Sequence, residues 1–167
     1  MRILATILML TSFLFVQAQD LTLKGRIISE DLEVLPGVRI TNQKNELLGV
    51  TDIEGRFEIS IPNEVLKLNI SFVGMEPTII ELSGNRNFLE VVVMIETLYD
   101  FMSLKKVDRL RMKRFKKLPE LHKEAFEKGI FKTDKACYTQ EFIPYYKKKS
   151  TPQLPLDCNE GSAVWHL

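Results

Sequence analysis

Leu35-Pro36-Gly37-Val38-Arg39-Ile40, a polar turn, then Leu47-Leu48-Gly49-Val50-Thr51-Asp52-Ile53-Glu54-Gly55-Arg56-Phe57 is the stretch that decides the fold. Short alternating runs are joined by turns whose residue types are chemically dictated. Pro36-Gly37 suits a type II turn, because proline presets the first central φ and glycine accepts the positive second one. The Asp52 carboxylate is placed to accept backbone N–H groups two and three residues on. Gly55 can then turn through the left-handed region before Phe57 re-enters a core.

Outward from this stretch the period stays at two. Leu21, Leu23, Gly25 and Ile27 face one way, and Thr22, Lys24 and Arg26 the other. Val38 and Ile40 make a second strand, and Leu48 and Val50 a third. Phe57, Ile59 and Ile61 alternate with Arg56, Glu58 and Ser60, and Pro62 stops that strand. Leu66, Leu68, Ile70 and Phe72 form a fifth, Thr78, Ile80 and Leu82 a sixth, and Phe88 to Ile95 a seventh. Seven short strands with turn signals between them predict a mainly β fold, a seven-stranded antiparallel sandwich of two layers. Period two would scatter these apolar residues all round a helix, which excludes a helical reading. The seventh strand departs from alternation: Phe88, Val92 and Met94 are apolar as well as Leu89, Val91 and Val93. A strand apolar on both faces is covered on both, and the chain that follows is the expected cover.

Four ordered segments carry a resemblance: Leu23-Lys24-Gly25-Arg26-Ile27, Leu35-Pro36-Gly37-Val38, Thr51 to Phe57, and Ile70-Ser71-Phe72-Val73-Gly74-Met75. Together they resemble the carboxypeptidase regulatory-like domain, a transthyretin-like (prealbumin-like) sandwich common in exported proteins of Bacteroidetes-type bacteria. The resemblance implies a non-catalytic attachment of the kind that follows peptidase domains or precedes the plug and barrel of TonB-dependent transporters. Met75 stands where that family often has an aromatic residue. Leu89-Glu90-Val91-Val92-Val93 looks like a TonB-coupling segment, and the competing and preferred reading is that it is the seventh strand. The residues that remain could not build a barrel.

The other boundaries follow from composition. Arg2 and the apolar run Ile3 to Val16, with Val16-Gln17-Ala18 before a cleavage point, predict a secretory signal peptide over residues 1–18. The alternative is an uncleaved anchor, and the run is short for a spanning helix. No cysteine lies near the cleavage point, so a lipid anchor is not indicated, and no later run is apolar enough to cross a bilayer. A periplasmic, outer-membrane-associated or secreted location is therefore expected. The sandwich occupies 20–95, a helical extension 96–131 and an irregular tail 132–167. Leu98 to Phe115 lacks Pro and Gly and reads as a helix with Leu98, Phe101, Leu104, Val107 and Leu110 every third residue. That stripe drifts around the axis. Pro119 and Glu120 suit the start of a second helix, Lys128 its last turn and Gly129 its stop. Leu118, Leu121 and Ala125 share one of its faces. Beyond Gly129, Pro144, Pro152 and Pro155 favour looped or extended chain.

The formal net charge of +1 hides an asymmetry. Residues 20–95 carry 12 acidic and 7 basic side chains, and residues 96–167 carry 10 and 15. The basic excess gathers at Lys105, Lys106, Arg109, Arg111, Lys113, Arg114, Lys116 and Lys117. Three readings stand: a solvated helix face, a basic helix docked on the acidic sandwich, or a contact with an envelope protein or an anionic surface such as lipid headgroups. Nucleic acid is disfavoured, because an exported protein rarely meets it. Cys137 and Cys158 form a candidate disulfide closing a loop of about 20 residues, worth roughly 3 kcal/mol on the chain-entropy model; the alternative is two free thiols.

Catalytic patterns do not emerge. A zinc carboxypeptidase needs His-x-x-Glu, whereas His122 is followed by Lys123 and Glu124, and the other histidine is His166. Hydrolases that share the transthyretin-like fold depend on several histidines and a C-terminal tetrapeptide ending in serine, neither present here. Nothing orients Cys137 or Cys158 against a histidine as a nucleophile. No carboxylate pair is marked for acid–base work, and no phosphate loop appears. Asp52 and Glu54 could touch calcium, but bonding within their own turn accounts for Asp52. The expectation is a non-enzymatic chain without cofactor or metal. It would act as a binding or scaffolding module of the cell envelope or, alternatively, as an accessory of a separately encoded outer-membrane transporter.

Overall fold

The computed structural model describes residues 20–62, 65–83 and 87–146, with the backbone of 153–154. Its elements are β1 (Asp20–Ser29), β2 (Arg39–Thr41), β3 (Leu47–Val50), β4 (Arg56–Pro62), β5 (Lys67–Ser71), β6 (Thr78–Leu82), β7 (Phe88–Val93), α1 (Leu104–Phe115), α2 (Leu118–Glu127), β8 (Tyr138–Glu141) and β9 (Gln153–Leu154). Two sheets form a sandwich. One has the order β4-β1-β7, the other β3-β2-β5-β6-β8-β9.

All seven strands expected between residues 21 and 95 are present, because each has one face to bury. In β4, Phe57, Ile59 and Ile61 are buried and Arg56, Glu58, Ser60 and Pro62 are exposed. The inward residues of both sheets, among them Leu23, Ile27, Ile40, Ile61, Leu68, Ile80 and Val91, make the main core. Each such side chain contributes about 1.5–3 kcal/mol by leaving water.

Two expectations need correction. The sandwich is not wholly antiparallel: β1 pairs with β7 in parallel, Gly25 opposite Leu89 and Ile27 opposite Val91. Between β1 and β7 the chain passes through the other sheet, and a connection of that length permits parallel pairing. The two strands meet so closely at Gly25 that a Cβ there would strike the Leu89 carbonyl oxygen and the Phe57 ring. The strand count also exceeds seven. Part of the stretch read as an irregular tail, 132–167, continues the larger sheet: β8 pairs antiparallel with β6, and β9 with β8. Tyr138 and Ala136 enter the main core.

The corner that anchors the sandwich is built around Thr51. Its hydroxyl accepts from Val38 N–H at 2.9 Å and donates to Leu35 C=O at 2.6 Å. It thus relays the bond that would close the Pro36-Gly37 turn, in which Gly37 has φ 79°. The Thr51 backbone pairs with Gly37 and Val38 at 3.0 and 3.1 Å. Asp52 Oδ1 accepts from Glu54 N–H at 2.9 Å and Arg56 N–H at 2.8 Å, two and four residues on rather than two and three. Gly55 has φ 71°, and a Cβ on it would lie 2.6 Å from Ile27 O.

Thr51→Val keeps the shape but strands a buried donor and a buried acceptor, each costing about 1–3 kcal/mol. We expect a loss of about 2–3 kcal/mol by urea denaturation, and a smaller one for Thr51→Ser. Equal losses for the two variants would show that the hydroxyl is not the reason.

Candidate functional site

The ionisable groups that leave water gather where the extension meets the sandwich. Ile28 on β1 and Val92 on β7, with Met94 just beyond it, turn away from the main core into a second one. Phe115, Leu118, Ala125, Phe131 and Phe142 complete it. The expected cover of β7 is therefore present, but it is supplied by the end of α1, by α2 and by the chain after α2. The stretch 98–103 is not helical, and Leu98 and Phe101 are exposed. Within α1 the buried side chains are Val107, Arg111 and Phe115, spaced by four. The three-residue stripe failed because its most apolar members precede the helix.

Arg111 is the centre of this interface. Its side chain is 3% exposed and that of Glu76, from the chain before β6, is 4% exposed. The guanidinium donates from Nε to Glu76 Oε1 at 3.0 Å and from Nη2 to Oε2 at 2.7 Å. Its Nη1 donates to Asp108 Oδ1 at 3.1 Å and to Ile143 C=O at 2.9 Å. It stacks 3.8 Å from the Tyr145 ring centroid. Burial alone would lower its pKa. Glu76, through hydrogen bond and charge, more than reverses this and leaves it above the ordinary value. One turn on, Arg114 bonds both Glu30 carboxylate oxygens and the Ile95 carbonyl. Hydrogen bonding to Glu30 raises its pKa. Forked guanidinium–carboxylate pairs of this kind combine charge with fixed geometry.

A second joint forms at Glu90 on β7, which faces the extension and is buried. It accepts from Lys132 N–H at 2.7 Å and from Thr133 N–H and hydroxyl at 2.9 and 2.7 Å. On α2, His122 is buried, with Nε2 3.1 Å from Thr133 O and Nδ1 without a partner among the described residues. Pro119 and Glu120 sit in the first turn of α2. Gly129 has φ 71° and ends the helix with Gly129 N–H to Phe126 O and Ile130 N–H to Ala125 O, a Schellman stop.

The Thr133 hydroxyl donates to Glu90, and its carbonyl oxygen faces His122 Nε2, so Thr133 links the two. Burial pushes His122 down to about 4. Its folded value lies below the unfolded one, so the unfolded chain binds the extra proton. The associated stability is complete above pH 6.5 and drains as pH falls through 6.5 towards 4. We expect this side chain to account for about 2–3 kcal/mol of the loss between pH 7.5 and 4.5. Parallel denaturation of His122→Leu should show a slope shallower by that amount; an unchanged slope would assign the acid sensitivity elsewhere.

Of the eight basic residues singled out, Arg111 and Arg114 thus point into the molecule and bind Glu76 and Glu30 of the sandwich. Lys105, Lys106, Arg109, Lys113, Lys116 and Lys117 are exposed. Cys137 is half-buried just before β8, while Cys158, His166 and the segment 1–18 expected to be a signal peptide lie outside the described residues. Leu89 to Val93 is buried within β7, so it is not presented as a coupling segment. A shallow groove of about 400 Å³ runs over Gly25 between Arg56, Phe88 and Lys132. Its charges are paired locally, Lys24 with Glu58 at 3.0 Å and Arg56 with Glu54 at 2.6 Å. Among the described residues no group of three His, Cys, Asp or Glu side chains could hold a metal ion. No described helix is long and apolar enough to cross a membrane.

Glu76, Glu90 and Glu30 carry no direct signal of their role at the level of sequence. Each is an unremarkable carboxylate in its own segment and acquires a role only through a partner far along the chain. Comparison with known families agrees with the sandwich: residues 23–99 match the CarboxypepD_reg-like domain. No curated protein matches the chain significantly.

Proposed function

We propose, from the premise that residues 23–99 are a CarboxypepD_reg-like domain, that the chain is an exported binding or scaffolding module of the bacterial cell envelope and not an enzyme. The domain is of a regulatory rather than a catalytic kind. One observation carries the reading. The buried charged side chains Glu76, Glu90 and Arg111 are all engaged in fastening the extension to the sandwich. They are partnered by backbone groups or by each other, so they form a joint instead of a reactive centre. The outer face of β7 is closed by the extension, while the outward charge of α1 is free to meet other surfaces.

Export is the testable part. Expressed from its own first residue in a bacterial host, the chain should appear in the periplasmic or outer-membrane fraction. Mass spectrometry should show its N-terminus at Gln19. A chain that keeps Met1 and stays in the cytoplasm would overturn the envelope reading. Hydrolytic turnover by the purified protein, abolished by Glu90→Gln, would overturn the non-enzymatic one.

A further inference from the structure

We propose that the loop before α1 and the outer face of α1 form a docking surface for an anionic lipid bilayer. The loop enters the interface with its apolar side chains, and the helix lies along the headgroups. This deepens the envelope reading by naming the surface the module meets, and rests on it only for which bilayer is available.

The first observation is the loop. Leu98 is 85% exposed, Phe101 109%, Leu104 52% and Met102 40%. Phe101 has φ 59°, a left-handed conformation that a bulky residue adopts at a cost of order 1–3 kcal/mol. Packing in the free protein does not repay that cost, since the ring touches solvent on all sides. Insertion of the ring among acyl chains would. Exposed apolar side chains are common singly, but Leu98, Phe101 and Met102, three within five residues of one loop, are a patch that calls for a partner.

The second observation is charge. At about 100° per residue, Lys105, Lys106, Arg109 and Lys113 fall within an arc of about 100° on the side of α1 opposite Val107 and Arg111, and Lys116 and Lys117 follow in the turn at its C-terminal end. Among the described residues none of the six is in an ion pair. Lys105 instead lies 4.9 Å from the ring centroid of Tyr146. Tyr146 is itself exposed beside the helix start, and amphipathic aromatic rings favour the membrane–water boundary. The carboxylate of α1, Asp108, is withdrawn from this face: it accepts from Arg111, Tyr145 N–H and Tyr146 N–H. Asp100 is an exposed carboxylate in the loop itself.

An acidic protein would also attract the six cations. The bilayer is favoured because apolar insertion and a diffuse cationic face need no shape complementarity. Here the apolar residues form a projecting tip and not a groove. Single apolar or electrostatic contributions bind membranes weakly, and the two together bind stably.

The test is flotation of the purified full chain with vesicles of phosphatidylcholine alone or with 30 mol per cent phosphatidylglycerol, roughly the anionic content of such surfaces. Binding is expected to the anionic vesicles and to fall as salt rises through about 0.1 M, where the Debye length is about 10 Å. At about fivefold per cation, Lys106→Gln, Lys113→Gln and Lys117→Gln together should weaken partitioning on the order of 100-fold. Phe101→Ser should weaken it about tenfold, while circular dichroism stays unchanged. In Phe101→Trp, the emission in excess of wild type should shift to the blue on adding anionic vesicles. Failure to float at low salt, or floating that ignores both sets of substitutions, overturns the proposal. Equal binding to soluble polyglutamate with no part played by Phe101 would assign the face to an acidic macromolecule and also overturn it. The vesicle result does not depend on where the cell sends the chain, so its failure is distinct from a failure of export.

Discussion

Arg111→Met will lower the unfolding free energy by about 3–5 kcal/mol, because it leaves the Glu76 carboxylate buried without its forked partner. For a chain of this length that corresponds to a fall in Tm of roughly 10–15 °C. The arginine has six contacts to lose: both Glu76 oxygens, Asp108, the Ile143 carbonyl and the Tyr145 and Phe142 rings. Lysine at this position keeps the charge but not the planar fork, so Arg111→Lys should fall between wild type and methionine. The paired variant Arg111→Met/Glu76→Met should recover much of the loss, since the uncompensated charge is gone. If Arg111→Met alone costs less than 1 kcal/mol, the pair is not the fastening described above.

Removing the extension altogether has the larger expected effect. A chain ending at Ile95 uncovers Ile28, Val92 and Met94, which are at most 3% exposed in the full chain. It also strips Glu90 of three donors, Glu76 of its guanidinium and β6 of its neighbour β8. The expected outcome is an aggregation-prone species that binds a hydrophobic dye and lacks a cooperative thermal transition. A monomeric fragment that melts sharply, with no dye bound, would mean that the seven-strand sandwich is complete in itself.

The sandwich was legible because its strands bury one face each and its corners need particular residues. Leu23, Ile27, Phe57, Ile59, Leu68 and Ile80 announce their face by alternation, and Gly37 and Gly55 announce their φ. The apolar excess of β7 also announced a cover, without saying which residues would provide it. What stayed hidden depends on contacts between distant segments. β8 buries Tyr138 and Gln140 on the same face, and a buried glutamine breaks the apolar signal of a short strand. The direction of β7 beside β1 is a property of chain path, which local periodicity does not encode. The docking reading of the basic helix was one of three open to the sequence. Arg111 and Arg114 perform it, while the six cations around them stay outside, a division set by helical angle relative to a face whose identity needed the fold. The short left-handed turn at Phe101 carried no sequence mark, because glycine or asparagine is the usual occupant of that conformation.

The central claim is that sandwich and extension are one cooperative body, joined at Glu76–Arg111 and at Glu90. Native-state hydrogen exchange of the full chain in rising urea measures this directly, through the amides of Val92 in β7 and Ala125 in α2. The account predicts opening free energies that agree within about 1 kcal/mol and rise or fall together in Arg111→Met, as members of a single cooperative unit do. An Ala125 amide that opens several kcal/mol more easily than Val92, with β7 protected throughout, would contradict it.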